Sequence, residues 1–237
     1  KNFVKCVHKK FKPKKIIVFS RDEAKQYVMK NEFDRLKYKN IKFFIGDVRD
    51  LDRLKMAFRD VDYIVHAAAL KHVPSTEYNP QECVKTNIYG AQNIIEASIY
   101  CNVKKIIALS TDKAVNPVNI YGASKLASDK LFIAANNLVG SQPTRFSVVR
   151  YGNVLESRGS VIPFFKELKE KKSKYFPVTH PNMTRFFIKI DQGIDFVLQS
   201  FKNMNGGEIF VPKLPSIKIV DIAKAIDSKI PIKFVGI

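Results

Sequence analysis

The sequence holds only three cysteines. Cys6, Cys83 and Cys101 are an odd number at wide spacing, which excludes a disulfide framework or a cysteine metal clamp and fits reduced thiols in a cytoplasmic protein. No apolar run reaches the ~18 residues of a spanning helix, and no n-region, h-region and cleavage site open the chain, so neither a membrane span nor a signal peptide is expected. Acidic residues are few: 22 Asp and Glu stand against 41 Lys and Arg, a formal charge of +19. Such a surface attracts polyanions or a phosphorylated small molecule. The lysines are spread along the chain, however, and the densest stretch, Lys166 to Lys174, reads as a helix with a solvated face rather than a nucleic-acid groove. Missing too is any G-x-G-x-x-G phosphate loop.

What is present is 237 residues, 46% hydrophobic and 27% charged, which describes a globular chain of one large domain or two modest ones. Five apolar runs, Lys15–Ser20, Ile41–Val48, Asp62–Ala69, Lys104–Ser110 and Phe146–Tyr151, read as buried strands. Between them lie helical spacings. In Thr86–Ile99 the face is Ile88, Ala91, Ile94, Ile95 and Ser98; in Tyr121–Asn136 it is Leu126, Lys130, Ile133 and Ala134. Strand and helix in alternation predict an α/β fold, a doubly wound parallel sheet with ligands beyond the carboxyl ends of its strands.

The first residues, with Phe3, Val4, Val7 and Phe11 on one face before Pro13, predict a chain that opens inside a helix. In a dinucleotide fold the glycine loop begins the first helix, and the residue that reads the ribose ends the second strand, ~20 residues later. Counting back from Ser20 and Arg21 puts the glycines just before Lys1, so the chain is read as cut past its phosphate loop.

Chemistry is expected just after each run. In Ser20-Arg21-Asp22-Glu23 an Arg can pair with a ribose 2′-phosphate and favours NADP, while Asp22 keeps NAD open and an ordinary turn with a solvated Arg competes. Asp47, in Gly46-Asp47-Val48, could accept from an adenine amino group. The small residues of His66-Ala67-Ala68-Ala69 let a cofactor approach closely, or simply pack under a helix. His66 and His72 have no ligand-spaced carboxylate or cysteine, which argues against metal.

Ser110-Thr111-Asp112-Lys113, followed by Tyr121-Gly122-Ala123-Ser124-Lys125, is the strongest signal. Tyr-x-x-x-Lys puts both side chains on one helix face, where the ammonium lowers the phenol's pKa and makes it a usable base. The pattern occurs three times, at Tyr38/Lys42, Tyr100/Lys104 and Tyr121/Lys125, but only the third sits within a helix just beyond a strand. Adjacency sends Asp112 and Lys113 in different directions from a loop, as acid and base of one pocket; a capping Asp beside a solvated Lys is the alternative.

With these residues lined up, the chain resembles the extended short-chain dehydrogenase/reductases. Within them it is most similar to the CapD-like polysaccharide biosynthesis group of inverting UDP-N-acetylglucosamine 4,6-dehydratases, which supply pseudaminic acid for flagellin glycosylation. The matching segments are Ser20–Gln26, Gly46–Leu54, His66–Pro74, Glu77–Asn87, Ala108–Phe132, Arg150–Phe165, Met183–Phe187 and Gly206–Ile219. They cover essentially the whole chain, and STDKA with NP and YGASK is specific, since simple 4-epimerases lack the Asp-Lys pair. Related retaining dehydratases carry Met where Tyr121 stands.

The resemblance implies a Rossmann-type NADP-binding domain over 1–154, without its first strand and glycine loop, and a smaller, incomplete substrate-binding region over 155–237. The helix Asp191–Met204 is expected to pack back on the first domain. Both ends are read as truncated, before a GGTGSFG loop and an Arg-Pro-Gly-Glu segment. NADP would be held by Ser20, Arg21, Asp22, Glu23, Ala24, Lys25, Asp47, Val48, Ala67, Lys71, Thr86, Tyr121 and Lys125. The UDP-sugar would meet Lys71, Asn153, Arg158, Gly159, Ser160, Val161 and Ile162. Thr111, Asp112, Lys113, Tyr121 and Lys125 would be catalytic: Tyr121 takes the 4-OH proton, Lys113 acts on C5–H, Asp112 protonates the leaving 6-OH and Thr111 bonds the C4 oxygen. The family also implies a homo-oligomer, with no nucleic-acid, membrane or metal partner.

Overall fold

The structure is a computed structural model describing residues 1–33, 38–155, 157 and 159–236. In chain order they form α1 (Asn2–Phe11), β1 (Ile16–Ser20), α2 (Glu23–Glu32), β2 (Ile41–Ile45), α3 (Leu51–Ala57), β3 (Tyr63–His66), α4 (Val73–Tyr78), α5 (Pro80–Val84), α6 (Gly90–Tyr100), β4 (Lys105–Thr111), α7 (Ile120–Ala134) and β5 (Arg145–Tyr151). Then follow β6 (Asn153–Val154), α8 (Val161–Glu170), β7 (Phe176–Val178), β8 (Thr184–Ile188), α9 (Ile190–Asn203), β9 (Ile209–Phe210), β10 (Ser216–Lys218), α10 (Ile219–Ile226) and β11 (Ile232–Phe234). A π-helical turn, Lys85–Tyr89, joins α5 to α6, and a 3-10 turn covers Asp112–Ala114.

Two compact units share these elements: Lys1–Arg150 with Phe196–Phe210, and Tyr151–Asp195 with Val211–Ile237. The sequence reading draws one boundary, after residue 154; the chain in fact leaves the first unit at Arg150 and returns to it at Phe196, within α9.

In the first unit all five apolar runs are strands. β1 and β2 pair in parallel from Ile16↔Ile41 to Ser20↔Ile45, and a second sheet has the order β3-β4-β5-β9, with β3 parallel to β4 and β5 parallel to β9. Helices link these parallel strands, which is Rossmann-type winding. The single expected sheet is thus present in two parts, and no strand among the described residues pairs with the second edge of β1 or of β3. Strands covered on both faces read as continuous apolar runs; Ile106, Ile107 and Ala108 of β4 are all fully buried. They join Leu54, Ile94, Phe132, Phe146 and Val148 in one core.

The face expected for α6 is buried, with Ala91, Ile94, Ile95 and Ser98 inward. The face expected for α7 is not: Lys130 and Ala134 are exposed, and the buried residues are Gly122, Ser124, Lys125, Ser128, Asp129 and Phe132. A polar stripe is buried because it finds partners inside, which apolar periodicity cannot register.

The second unit has its own core of Phe165, Phe176, Val178, Phe187, Ile219 and Ile222, with the Phe165 and Phe176 rings 4.9 Å apart. Its strands are short, in the order β10-β8-β6 and as the parallel pair β7 and β11. Gly152 enters β6 where a Cβ would lie 2.4 Å from the Phe186 carbonyl oxygen, so only glycine fits there. No helix among the described residues is long and apolar enough to cross a membrane.

Candidate active site

β4 ends at Thr111, which is buried, and the chain turns at once through Asp112–Ala114. The Thr111 hydroxyl donates to Asp112 Oδ1 at 2.9 Å and accepts from the Lys113 N–H at 3.3 Å. Lys113 Nζ donates to the same Asp112 oxygen at 3.0 Å. The divergence expected of these neighbours is therefore corrected: the tight turn and opposite charges bring carboxylate and ammonium into contact.

α7 begins six residues later. Asn119 caps it, its Oδ1 accepting from the Gly122 N–H at 2.9 Å. Glu77 of α4 accepts from the Ile120 N–H at 2.7 Å. Gly122 rests directly on the turn Asp112–Ala114, where a Cβ would lie 2.3 Å from the Lys113 carbonyl oxygen. Tyr121 follows Ile120, and its hydroxyl bonds Thr111.

Burial pushes the Tyr121 phenol above its ordinary value, the Thr111 bond pulls it back, and the charges of Asp112 and Asp129 push it up again. Lys125, 3% exposed, is itself held below the ordinary lysine range by burial, with Asp129 acting the other way. The lowering of the phenol expected from the Lys125 ammonium is corrected: burial of the phenol and the neighbouring negative charges decide its direction, which is upward.

Behind these groups stand residues that motif spacing does not single out. Asn87 sits in the π-helical turn, a feature frequent at functional sites. Its amide accepts from the Leu70 N–H at 2.8 Å and donates to the Leu70 carbonyl at 2.9 Å and to Ser124 Oγ at 2.9 Å. Ser124 Oγ donates to the Tyr121 carbonyl at 2.8 Å, and Cys83 Sγ lies 3.4 Å from it. Asn87 therefore ties the loop after β3 to the turn carrying Tyr121. On the inner face of α7, Asp129 accepts from Ser110 Oγ at 2.9 Å and from Arg150 Nε at 2.7 Å. The buried Asn87 and Asp129 and the half-buried Arg150 look like surface residues in sequence, and only their partners reveal them.

His66 ends β3 against the Phe132 ring, with Nε2 buried and without a hydrogen-bond partner. Burial and the nearby Lys125 charge push its imidazole down from 6.5 to about 3. Between those values the unfolded chain binds the extra proton, so the contribution is fully present above pH 6.5 and is lost as pH falls towards 3. The slope is about 1.4 kcal/mol per pH unit. Urea unfolding at about pH 7, 6 and 5 should show His66→Gln losing less stability on acidification than the parent chain.

On the expected cofactor side, a cleft of about 470 Å³ is lined by Arg21, Ala69, Lys71, His72 and Glu82 among others, so two cations and one carboxylate share one opening. Ser20 Oγ accepts from the Asp22 N–H, Asp22 caps α2 by accepting from the Lys25 N–H at 2.8 Å, and Lys25 pairs with Asp22. Glu23 and Ala24 form the exposed first turn. Buried Gln26 donates to the carbonyls of Ser20 and Phe44 at 2.9 and 2.8 Å and ties the ends of β1 and β2 together. Asp47 accepts from Arg21 at 3.3 Å and Arg49 at 2.9 Å. Burial opposes the Asp47 charge, but these bonds hold its carboxyl below the usual range. Val48 points into the core, its carbonyl bonded by Asn93. Ala67 and Lys71 are exposed, and Thr86 is buried with an unpartnered hydroxyl. The orphaned Thr86 hydroxyl, the desolvated Lys125 ammonium and the Arg21 and Lys71 cations of the cleft fit a phosphate-bearing dinucleotide with a ribose to hydrogen-bond.

In the second unit Asn153 stands in β6 opposite Phe187 of β8. Gly159 is exposed with φ +73°, Ser160 precedes α8 with its Oγ buried and unpartnered, and Val161 and Ile162 begin that helix against the second core. Arg158 lies outside the described residues.

The family described as polysaccharide biosynthesis protein matches residues 1–237. The chain belongs to that family. It is 57% identical over 237 residues to the UDP-N-acetylglucosamine 4,6-dehydratase (inverting) of Campylobacter jejuni strain 81-176, covering all of this chain and 70% of that relative. A family resemblance also extends to a UDP-glucose 4-epimerase of Rickettsia bellii strain OSU 85-389, 46% identical over 94% of this chain and 65% of the relative. Among solved structures, Pen from Bacillus thuringiensis superimposes with a TM-score of 0.93 at 40% identity, covering all of this chain and 75% of that one.

Proposed function

We propose that this protein is an NADP-dependent nucleotide-sugar 4,6-dehydratase that inverts C5. Its substrate would be UDP-N-acetylglucosamine and its product a UDP-4-keto-6-deoxy-L-arabino-hexulose that feeds pseudaminic acid and flagellin glycosylation. The observation that carries this reading is the contact of Asp112 with Lys113 beside Thr111 and Tyr121. It supplies an acid, a base and a phenol at the end of one strand, and a 4-epimerase would have no use for the first two.

Ser20 to Lys25, Asp47, Val48, Ala67, Thr86, Tyr121 and Lys125 are assigned to the dinucleotide, Arg21 to its 2′-phosphate. Asn153, Arg158, Gly159, Ser160, Val161 and Ile162 are assigned to the nucleotide sugar, and Lys71 to both. Bound there, the nicotinamide would accept a hydride from C4 and return it to C6. Tyr121 takes the 4-OH proton, and Thr111 turns its hydroxyl to the C4 oxygen. The new ketone acidifies C5–H. For that step the proton Lys113 donates to Asp112 in their contact passes to the carboxyl. The neutral Lys113 amine then removes the C5 proton, and Asp112 carries the proton for the leaving oxygen. Asp112 protonates the departing 6-OH, and a proton returns to C5 from the opposite face. No net oxidation occurs. Cytoplasmic residence and a homo-oligomeric state belong to the same proposal.

The test is proton NMR of UDP-N-acetylglucosamine incubated with the chain and NADP+ in D2O. A new C6 methyl signal with deuterium at C5 is the expected result. Lys113→Ala should abolish the methyl signal. Interconversion of C4 epimers with C6 untouched, surviving Lys113→Ala, would make the protein an epimerase, as the Rickettsia relative is named.

A further inference from the structure

Asp129 has no part in the reaction just described, yet it is fully buried in the core of the first unit. Its Oδ2 accepts from Ser110 Oγ at 2.9 Å and from Arg150 Nε at 2.7 Å, so β4 and β5 both hold the carboxylate in place. Its Oδ1 is buried and has no hydrogen-bond partner. An oxygen in that condition acts on its surroundings through space, and the local dielectric strengthens the effect.

The group one helical turn back on the same face is Lys125, 3% exposed. Other titratable or charged groups around it are Tyr121 a further turn back, neutral His66 at the end of β3, and Arg150 on β5, whose charge Asp129 already answers. Cys83 of α5 and Asp112 act on Tyr121. Desolvation works against a charged Lys125, and the field of Asp129 works for it.

We propose that Asp129 is a positioning residue, a buried counter-charge fixed by Ser110 and Arg150 that keeps Lys125 protonated beside Tyr121. The proposal rests on the functional reading above only in giving that ammonium a task, to bind the cofactor ribose and support the phenol.

The chain labelled with 13C at lysine Cε tests it without substrate. The Lys125 signal is identified by its absence in Lys125→Gln, and its titration midpoint is followed in Asp129→Asn and in Asp129→Asn/Arg150→Gln. The double variant removes both members of the Asp129–Arg150 ion pair, so the guanidinium is not left without its carboxylate, and it serves where the single one fails to fold. The midpoint is expected to fall by about one pH unit or more in both. If Asp129 serves only as the counterion of Arg150, the midpoint stays at the parent value, or returns to it in the double variant; either result overturns the proposal. Arg150→Gln alone frees Asp129 to act on Lys125 and should raise the midpoint, and a fall there would also overturn it. A protein that makes no C6 methyl product can still pass this titration, so failure of the dehydratase reading is told apart from failure of this one.

Discussion

Gly122→Ala is expected to lower turnover of UDP-N-acetylglucosamine about a hundredfold in a chain that remains folded. The added Cβ would meet the Lys113 carbonyl oxygen at 2.3 Å and Pro117 Cβ at 3.0 Å. The first of these is backbone and cannot rotate away, so the turn Asp112–Ala114 must move off the start of α7. That turn carries Asp112 and Lys113, while Tyr121 stays on the helix, so the shift changes the spacing of the three groups to which the proposed reaction assigns acid, base and phenol. A misplacement of about 1 Å costs on the order of 10²-fold in rate. Overpacking adds a stability cost of about 1–3 kcal/mol. Gly193→Ala is the control: its Cβ would meet only Ile188 Cδ1 at 3.8 Å, and a helical alanine there should be neutral or mildly stabilising. The NMR assay with a thermal melt separates the two effects. Unchanged turnover in Gly122→Ala would mean that the turn can yield without moving its side chains.

Arg150→Met should be the most damaging substitution for stability, costing about 3–5 kcal/mol in urea unfolding. Arg150 donates to a carboxylate that has no exposure, and its own side chain is only 14% exposed. Without the guanidinium, Asp129 keeps a single donor, Ser110, and a charge in a low-dielectric core. Natural domains have only about 5–15 kcal/mol in all, so a large part of the folded population is at stake. Asp129→Asn/Arg150→Met should recover most of the loss, since what destabilises is the orphaned charge rather than the absence of the pair. A double variant no more stable than the single one would show that packing of the arginine stem matters more than its charge.

The parallel strands of the first unit are readable in sequence because burial on both faces leaves uninterrupted apolar runs such as Ile106 to Leu109 in β4. Thr111, Asp112, Lys113 and Tyr121 are readable as a cluster because the polar end of a strand and the first turn of the next helix lie side by side whatever the intervening loop does. Three things resist such reading. The buried stripe of α7 is polar, so an apolar template selects the wrong side, with Lys130 and Ala134 outward. The π-helical turn that aims Asn87 at Leu70 leaves no compositional trace. The strands of the second unit, β6 to β8, β10 and β11, run two to five residues, too short for a period of two to stand out. The acid–base state of Tyr121 is likewise a property of desolvation, and spacing alone points the other way.

The return of the chain at Phe196 also constrains how the protein is made. β5 pairs with β9, Val148 against Ile209, and Glu208 accepts from Ser147 Oγ at 2.6 Å. A nascent chain that has reached Arg150 therefore has β5 on an open flank, and some sixty further residues must leave the ribosome before that flank is closed. During that interval fully buried Val148 and Val149 are available to any other unpaired strand nearby. Translation speed through 151–210 and the presence of a holdase should therefore govern soluble yield more than the final stability does.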